Sequence, residues 1–403
     1  MIINSLLDTD LYKFTMMQAV FHQCPGTMVE YEFKLRNEGI DLSPFAEEIR
    51  AEIEALCSLR FTDEELDYLG SLRFMKPGFI ELLRIYKLDM RYVKVKVNDA
   101  LEFSIKIKGP WLHTILFEVP ILAIVNEVYF RSNVRKTANY DVMKEGRKRL
   151  DEKVEKIRQR LSDIQPNPAR EPGCPFLITD FGTRRRFSGD WQREVVTILR
   201  DEVPEAFVGT SNVLLAKDLK ITPFGTMAHE WLQAPQGFDG VQLAASQRYA
   251  LQTWANEYRG DLGIALSDVV GFDAFLRDFD LYFMKLFDGC RHDSGDPFEW
   301  ARKLIVHYRA HKIDPMTKRA VFSDGLTIDK AIKLHSEFYN QIQLGFGIGT
   351  HLTNDVGLDP LQIVIKLTKV NGKPVAKVSD ARGKTMCNDA QFLTYLKNVF
   401  EIK

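Results

Sequence analysis

The sequence predicts an α/β protein with a (β/α) barrel-like domain, residues 136–354, and an α/β domain built from both chain ends, residues 1–135 and 355–403. In the middle of the chain, short apolar runs alternate with helical patterns, which is typical of βαβ units and a parallel sheet. Near both ends, strand-like alternation predominates instead. The 403 residues, 45% hydrophobic and 27% charged, are enough for two to three globular domains.

The first third of the chain combines strand and helix patterns. Thr27–Leu35, Arg91–Val97 and Leu101–Ile107 alternate as half-buried strands do. The longest apolar stretch, Trp111–Phe130, is interrupted by polar residues, which favours a buried helix over a membrane span. Residues 140–164 are densely charged, with oppositely charged residues three to four positions apart, and we expect a solvated helix there.

The barrel domain is predicted from five short apolar runs, each followed by a polar or glycine-containing turn. Helical patterns follow several of these turns. A (β/α) barrel builds its active site from the residues that follow its strands. The predicted strands are Phe176–Asp180, Ala206–Val208, Gly263–Ser267, Arg319–Phe322 and Gln341–Phe346, and the predicted helices include Trp191–Val203, Phe272–Phe283 and Ile328–Tyr339. At the C-terminal end, Ile363–Thr368 and Pro374–Ser379 flank Asn371-Gly372 and predict a β-hairpin.

Charge and cysteine usage exclude several classes of protein. Lys plus Arg is 54 and Asp plus Glu is 55, a net charge of −1, so no global electrostatic force draws the chain to nucleic acid or an anionic membrane. The first residues have no basic segment followed by an apolar one, and a secretory signal is not expected. Five scattered cysteines without a CxxC spacing predict neither a zinc site nor a disulfide framework, and they favour a reducing, cytoplasmic location.

Two turns near the end of the predicted barrel are suited to a phosphate group. Asp324 and Gly325 follow one strand, and Gly347, Gly349 and Thr350 follow or end the next. Glycines allow backbone amides to approach phosphate oxygens, and barrels often bind phosphate after their last two strands. A plain tight turn is an equally good interpretation of either segment alone. The chain has no P-loop lysine motif and no GxGxxG.

Two basic segments in strand-end loops could bind an anion. Arg184, Arg185 and Arg186 are consecutive, and we expect one or two of them to point inward. Arg291 begins the segment Arg291–Pro297, which combines a cation with hydroxyl and carboxylate acceptors, including Asp293. That mixture suits a pentose phosphate. Surface salt bridges are the alternative explanation.

His229 follows a glycine turn within the predicted barrel. A histidine beside Glu230 and Trp231 is more often a buried, satisfied side chain, but its position among anion sites makes it a candidate nucleophile or acid/base. The histidines show no metal-cage spacing. A divalent metal is therefore expected to arrive with a polyphosphate, held by carboxylates such as Asp268, Asp293 or Asp324.

Several of these segments, in this order, resemble the nicotinate phosphoribosyltransferase family. They span essentially the whole chain, and the ordered set is specific although each alone is weak. The segments are Leu6–Lys13, Asp180–Ser188, Gly209–Asn212, Pro223–Trp231, Arg291–Pro297 and Phe346–Thr350. The resemblance implies an irregular α/β barrel of the type II phosphoribosyltransferases. It also implies synthesis of nicotinate mononucleotide and pyrophosphate from nicotinate and phosphoribosyl pyrophosphate, coupled to ATP hydrolysis and assisted by Mg²⁺.

The resemblance also implies a role for each matched residue. His229 would be phosphorylated by ATP, and Phe181 and Tyr12 would enclose the pyridine ring. The family includes monomers and homodimers, and in a homodimer Tyr12 would come from a neighbouring subunit. Arg184 and Arg291 would bind the carboxylate and phosphates, Asp293 and Asp324 the ribose hydroxyls, and Gly325, Gly347, Gly349 and Thr350 the 5′-phosphate.

Substrate choice is expected to depend on Thr210 and Ser211. Related nicotinamide-using enzymes carry an aspartate after the Gly-Thr pair, whereas the hydroxyl of Ser211 can donate to a carboxylate, which favours nicotinate. A nicotinamide phosphoribosyltransferase is the first alternative. A non-catalytic scaffold that senses sugar phosphates or nucleotides is the second. A generic sugar-phosphate barrel enzyme would need a Schiff-base lysine or a Glu/His pair on strand ends, for which we find no convincing candidate.

Overall fold

The structure is a computed structural model that describes residues 1–100, 102–137, 140–164, 173–380, 385 and 387–402, with the backbone only for residues 133–137. Two sheets contain most of its strands. In chain order the strands are β1 Met28–Leu35, β2 Val93–Val97, β3 Phe103–Pro110, β4 Ile178–Asp180, β5 Phe207–Thr210, β6 Thr222–Pro223, β7 Arg259–Leu262, β8 Ile264–Leu266, β9 Gly289–His292, β10 Arg319–Phe322, β11 Gln343–Ile348, β12 Ile363–Val370 and β13 Lys373–Pro374.

Seven strands from the middle of the chain form a parallel sheet in the order β6-β5-β4-β11-β10-β9-β8. Since β6 and β8 are its two edges among the described residues, the sheet is an open half-barrel. All carboxyl ends of its strands lie at one rim, where the loops that follow them meet. The expected barrel-like parallel sheet is therefore confirmed.

Strands from both ends of the chain form the second sheet, which is mainly antiparallel. Its order is β13-β12-β1-β3-β2, so β1 pairs with β12 on one side and with β3 on the other. The predicted hairpin at Asn371-Gly372 joins β12 to β13, with both residues at positive φ, as such a tight turn requires. The two sheets lie within the two predicted domain ranges, although the boundaries themselves stay a prediction.

Helices cover both sheets. They are α1 Leu11–Gln23, α2 Ala46–Ser58, α3 Asp63–Ser71, α4 Pro77–Ile85, α5 Trp111–Thr114, α6 Glu118–Thr137, α7 Val142–Asp163, α8 Gly189–Glu202, α9 Val213–Leu219, α10 His229–Gln233, α11 Ser246–Tyr258, α12 Phe272–Asp278, α13 Leu281–Leu286, α14 Pro297–Ala310, α15 Ile328–Phe338, α16 Thr350–Thr353 and α17 Ala390–Val399.

The apolar segment that begins at Trp111 is a core element. Residues Trp111–Ser132 are long and apolar enough to cross a membrane by length and composition, but most of this stretch is buried inside the protein. The segment is therefore a core helix of the kind that soluble proteins contain, as the sequence predicted.

The structure differs from the sequence prediction at several elements. The single helix predicted over Phe272–Phe283 is two helices, because the Asp280 carboxylate accepts hydrogen bonds from the backbone amides of Tyr282 and Phe283 and begins a new helix. β6, β7 and β9 were not predicted as strands, and of the predicted strand Pro374–Ser379 only Pro374 lies in a strand, β13. Leu101, the first residue of one predicted strand, lies outside the described residues.

Candidate functional site

A cavity of about 900 Å³ lies between the carboxyl ends of the parallel strands and the antiparallel sheet. Loops that follow β4, β5, β6, β10 and β11 form one wall, and β12 and Lys377 form part of the other. The predicted site residues that line it are Tyr12, Phe181, Arg184, Ser211, His229, Arg291, Asp293, Asp324, Gly325, Gly349 and Thr350. Most of the residues proposed from sequence are thus brought to one cavity.

His229 is placed at the start of α10 and is held by two carboxylates. Its Nε2 lies 2.8 Å from Asp268 Oδ1 and 3.2 Å from Asp293 Oδ2. The Lys377 ammonium lies 2.8 Å from Asp268 Oδ2 and 3.7 Å from Asp293 Oδ2, and the Ser294 hydroxyl donates to Asp268 Oδ2 at 2.6 Å. We call these five residues the His229 cluster.

The His229 cluster favours a neutral imidazole between ionised carboxylates. Burial, and next the nearby Lys377 ammonium, lower the pKa of His229 to about 4. Burial alone would raise the pKa of Asp268 and of Asp293, but the Lys377 ammonium beside both carboxylates helps to outweigh it, and both pKa values lie below normal. A neutral histidine whose Nε2 proton faces a carboxylate has its lone pair on Nδ1.

The His229 cluster does not fit a resident Mg²⁺ cage. Ligand atoms of His229, Asp268 and Asp293 lie within 4.8 Å of one another. Mg²⁺ prefers an octahedron of oxygens, and it usually takes only one or two carboxylates and completes its shell with water and substrate phosphates. Both oxygens of Asp268 already accept protein donors. Asp293 Oδ1 accepts from the Ser323 hydroxyl at 3.0 Å, but the Asp293 side chain is 20% exposed and lines the cavity, whereas Asp268 is buried.

The phosphate-type turns divide into two groups. Gly325, with φ of +54°, and Gly349 and Thr350 at the start of α16 line the cavity. Gly347 instead supports Phe181 from below, because a Cβ at position 347 would lie 2.2 Å from the Phe181 ring. The absence of a side chain there permits the position of the aromatic ring and does not expose an amide to the cavity.

The three consecutive arginines point in different directions. Arg184 and Arg185 line the cavity. The Arg184 side chain has no hydrogen bond or ion pair with any residue that the structure describes, so its guanidinium is available to a ligand. Arg186 is only 2% exposed and binds the Asp8 carboxylate through two nitrogens, at 2.6 and 2.8 Å, and Glu127 at 2.8 Å.

Thr210 and Ser211 are oriented away from their expected tasks. The Thr210 hydroxyl donates to Asp180 at 2.7 Å, beneath the cavity floor. Ser211 lines the cavity, but its hydroxyl donates to Asp10 Oδ1 at 2.7 Å and so cannot at the same time donate to a substrate carboxylate. Asp10 is buried, and burial raises its pKa. Tyr12 lines the cavity of its own chain.

Several cavity residues were missed by sequence reasoning. Lys13 lies 2.5 Å from Glu118 and 3.0 Å from Glu230, both of which line the cavity. Lys366 on β12 also lines it, and burial, followed by the charges of Lys377 and Arg184, lowers its pKa to about 7. The one available signal was a lysine within the apolar run Ile363–Leu367, where an inward ammonium is costly without a purpose.

Comparisons with known proteins agree with this geometry. Residues 176–403 match the family model described as the Nicotinate phosphoribosyltransferase (NAPRTase) family, and residues 7–126 match its N-terminal domain. The chain is 57% identical to the nicotinate phosphoribosyltransferase of Acidovorax sp. (strain JS42), over all of this chain and 99% of that protein. It is 57% identical to that of Xanthomonas euvesicatoria pv. vesicatoria (strain 85-10), over 99% of this chain and 98% of that protein.

Solved structures give the same result. A nicotinate phosphoribosyltransferase from Vibrio cholerae superimposes with a TM-score of 0.92 at 39% identity and covers all of this chain and 94% of its own. A putative nicotinate phosphoribosyltransferase from Saccharomyces cerevisiae has a TM-score of 0.87 at 30% identity, covering all of this chain and 99% of its own.

Proposed function

The chain belongs to the nicotinate phosphoribosyltransferase family, and from that premise we propose an ATP-coupled reaction in which His229 is transiently phosphorylated. The substrates are nicotinate and phosphoribosyl pyrophosphate, and the products are nicotinate mononucleotide and pyrophosphate. The observation that carries the proposal is His229, whose Nε2 faces two carboxylates at the wall of a cavity lined by several cationic side chains and glycine turns. The five cysteines are free, in keeping with a cytoplasmic enzyme.

His229 is suited to act as a nucleophile toward a phosphoryl group. Its Nε2 hydrogen bond to Asp268 leaves the Nδ1 lone pair free to attack the terminal phosphorus of ATP. The new Nδ1–P bond forms as the bond to the bridging oxygen breaks and ADP leaves. Positive charge then develops on the ring, where Asp268 and Asp293 stabilise it as the triad aspartate stabilises its histidine. Water later cleaves the phosphohistidine.

The pyridine ring is expected to bind between Phe181 and Tyr12. Aromatic faces on both sides suit a flat ring. The guanidinium of Arg184, which pairs with none of the described residues, suits its carboxylate. Because the expected donation by Ser211 is directed to Asp10, Arg184 carries the discrimination between nicotinate and nicotinamide.

Phosphoribosyl transfer needs charge neutralisation more than proton transfer. The ring nitrogen attacks the anomeric carbon through its own lone pair, the bond to the pyrophosphate oxygen breaks, and no proton has to leave the ring. Asp293 and Asp324 accept from ribose hydroxyls, and the turns at Gly325 and Gly349–Thr350 bind the 5′-phosphate. Arg291 faces the departing pyrophosphate.

Mg²⁺, when bound with the polyphosphate, would neutralise charge on its oxygens. Asp293 would share that ion from the cavity wall. The residues of the chain would position and orient the two substrates.

A phosphorylation assay tests the role of His229. Wild-type protein incubated with labelled ATP should gain an acid-labile, base-stable phosphate, and His229→Ala should gain none. The matched control is His311→Ala, which removes an exposed histidine far from the cavity. Full ATP coupling in the His229→Ala protein would contradict the assignment of His229 as the phosphorylated residue.

A product assay tests the substrate. Nicotinate and nicotinamide are each supplied with phosphoribosyl pyrophosphate, with and without ATP, and the mononucleotides are separated. We expect nicotinate mononucleotide, more of it with ATP, and in His229→Ala a slow synthesis that ATP does not stimulate. A preference for nicotinamide would favour the first alternative enzyme, and absence of any product would favour the non-catalytic scaffold.

A further inference from the structure

The segment Lys377–Asp380, which we call the latch, connects the antiparallel sheet to the His229 cluster. It follows the hairpin of β12 and β13, so it belongs to the end of the chain that covers the barrel rim. Lys377 is 3% exposed and delivers its ammonium to Asp268. The other sheet thus supplies a charge to the histidine of the barrel.

The latch is held between the two loops that carry Asp268 and Asp293. The Val378 amide donates to the Val269 carbonyl at 2.8 Å, and the Phe272 amide donates to Asp380 Oδ1 at 3.0 Å. On the other side, the Asp380 amide donates to the Ser294 hydroxyl at 3.0 Å. Both catalytic loops are therefore tied to the same four residues.

The residue before the latch is fixed as well. The Gln236 side chain bonds both backbone groups of Ala376, donating to its carbonyl at 2.9 Å and accepting from its amide at 2.8 Å. Ser379 has φ of +65°, a left-handed conformation that a residue with a Cβ rarely adopts. Strain of this kind persists only where the surroundings enforce it, and it is concentrated at functional sites.

The donors on Asp268 determine where its carboxylate points. Lys377 and Ser294 both bind Oδ2, which leaves Oδ1 directed at His229 Nε2. A carboxylate fixed in this way, with Asp293 Oδ2 beside it at 3.2 Å from the same nitrogen, keeps the histidine proton on Nε2 and the lone pair on Nδ1. In a serine protease, an aspartate with the same task is worth orders of magnitude in rate because its loss produces the wrong tautomer.

We propose that Lys377 and Ser294 are positioning residues that orient Asp268 and thereby hold His229 in the Nδ1-nucleophile tautomer. This inference rests on the proposed phosphorylation of His229 for its kinetic consequence, but the tautomer itself can be observed without it. It also makes nucleophile competence depend on a docked latch, so the covering sheet and the barrel act together.

The test compares Lys377→Met, Lys377→Arg and Ser294→Ala with wild type. Lys373→Met is the matched control, since Lys373 lies on the same hairpin but pairs with Asp239 at the surface. We expect Lys377→Met to slow single-turnover phosphorylation on the order of 100-fold, the scale of a small misplacement of a reacting group. Lys377→Arg should restore part of the rate, Ser294→Ala should lose less than Lys377→Met, and Lys373→Met should match wild type.

A second readout separates positioning from other roles. In protein labelled with ¹⁵N-histidine, the His229 ring signals are assigned by their absence in His229→Ala. Lys377→Met and Ser294→Ala should move the proton from Nε2 toward Nδ1, while a merely structural substitution would leave the tautomer unchanged. If either variant does not fold, the other and Lys377→Arg still decide the question.

The outcomes are distinct. A wild-type tautomer in Lys377→Met, with a raised KM for ATP and an unchanged phosphorylation rate at saturation, would overturn the proposal and assign Lys377 to phosphate binding instead. A wild-type rate and tautomer in both variants would overturn it too. If wild-type protein is never phosphorylated, the proposed coupling fails, but the ¹⁵N comparison still accepts or rejects the positioning role.

Discussion

Two buried clusters of charge in this protein use similar groups for different ends. In the first, which we call the Arg186 cluster, Asp8, Glu127 and Gln192 take up the guanidinium of Arg186, and Asn212 donates to Asp8. In the His229 cluster, a histidine, two carboxylates, a lysine and a serine are joined in the same way. Both clusters lie close to the rim of the parallel sheet.

The clusters differ in whether a polar position is left open. Every nitrogen of the Arg186 guanidinium bonds a protein acceptor, and the side chain is 2% exposed. The His229 side chain is 12% exposed, lines the cavity and has one ring nitrogen engaged by carboxylates. Burial of charge therefore does not by itself mark a functional site. A buried polar group that keeps a hydrogen-bonding position free toward a cavity is the better indication of such a site.

The first way to test this comparison is to break the Arg186 cluster. Arg186→Met leaves two buried carboxylates without their cation, and loss of one partner of a buried pair costs about 3–5 kcal/mol. Urea unfolding should show that loss in the free energy of unfolding. Arg193→Met is the control, since its ion pair with Asp218 is at the surface and contributes about 0–1 kcal/mol. Equal losses in both variants would contradict the distinction.

A second test uses pH at Asp180, which has neutral donors only. Burial raises its pKa to about 6, whereas Arg186 outweighs burial at Asp8 and lowers that pKa. The folded protein therefore holds a proton that the unfolded chain releases near pH 3.8. The stabilisation from this proton is complete below pH 3.8 and is lost as the pH rises through about 6. Because the two pKa values differ by about two units, the loss is about 3 kcal/mol.

The measurement is the free energy of unfolding of wild type minus that of Asp180→Asn between pH 4 and 7. The subtraction removes most other titrations, because the asparagine keeps the shape and one acceptor oxygen. A difference that stays flat over this range would show that the carboxyl ionises normally.

A third test addresses the open arginine. Arg184→Gln should leave the free energy of unfolding nearly unchanged, because the side chain bonds none of the residues that the structure describes. It should reduce kcat/KM for nicotinate roughly 30-fold, which corresponds to a loss of about 2 kcal/mol in transition-state stabilisation, because a buried charge partner of the carboxylate is lost. Arg193→Gln serves as the surface control. A variant that unfolds easily but binds nicotinate normally would show that Arg184, like Arg186, stabilises the fold and does not bind the substrate.

The smallest effect is expected at Ser211. Because its hydroxyl donates to Asp10, Ser211→Ala should lower kcat/KM for nicotinate by only about 1 kcal/mol, roughly fivefold. Steady-state kinetics with nicotinate and nicotinamide would measure it. A loss of well over tenfold that is specific to nicotinate would restore the sequence-based role of Ser211 as a donor to the carboxylate.

The sequence predicted what local patterns determine. β10 occupies the residues expected for it, Arg319–Phe322, because an apolar run there ends at a polar turn. The helix predicted to begin at Ile328 does begin there, capped by the Thr327 hydroxyl. The glycine turns that follow the strands reach the cavity because parallel strands end at one rim.

What the sequence did not reveal depends on distant pairing. β9 contains Cys290, Arg291 and His292, of which Arg291 faces the cavity, so its strand pattern is weak and was missed. Lys377 is unremarkable until the fold brings it to Asp268, and Arg186 differs from Arg184 by its contacts with Asp8, Glu127 and Gln192. Contacts between segments that are far apart in the chain produce no periodic pattern in the sequence.

The pairing of β1 with β12 has a consequence for biosynthesis. The whole half-barrel lies between these two strands in the chain, so a ribosome completes the rim before it releases the strand that covers it. Lys377 emerges later still. A nascent chain can thus fold its half-barrel before Lys377 reaches Asp268, and we expect the His229 cluster to be complete only after the residues that follow β12 have been added.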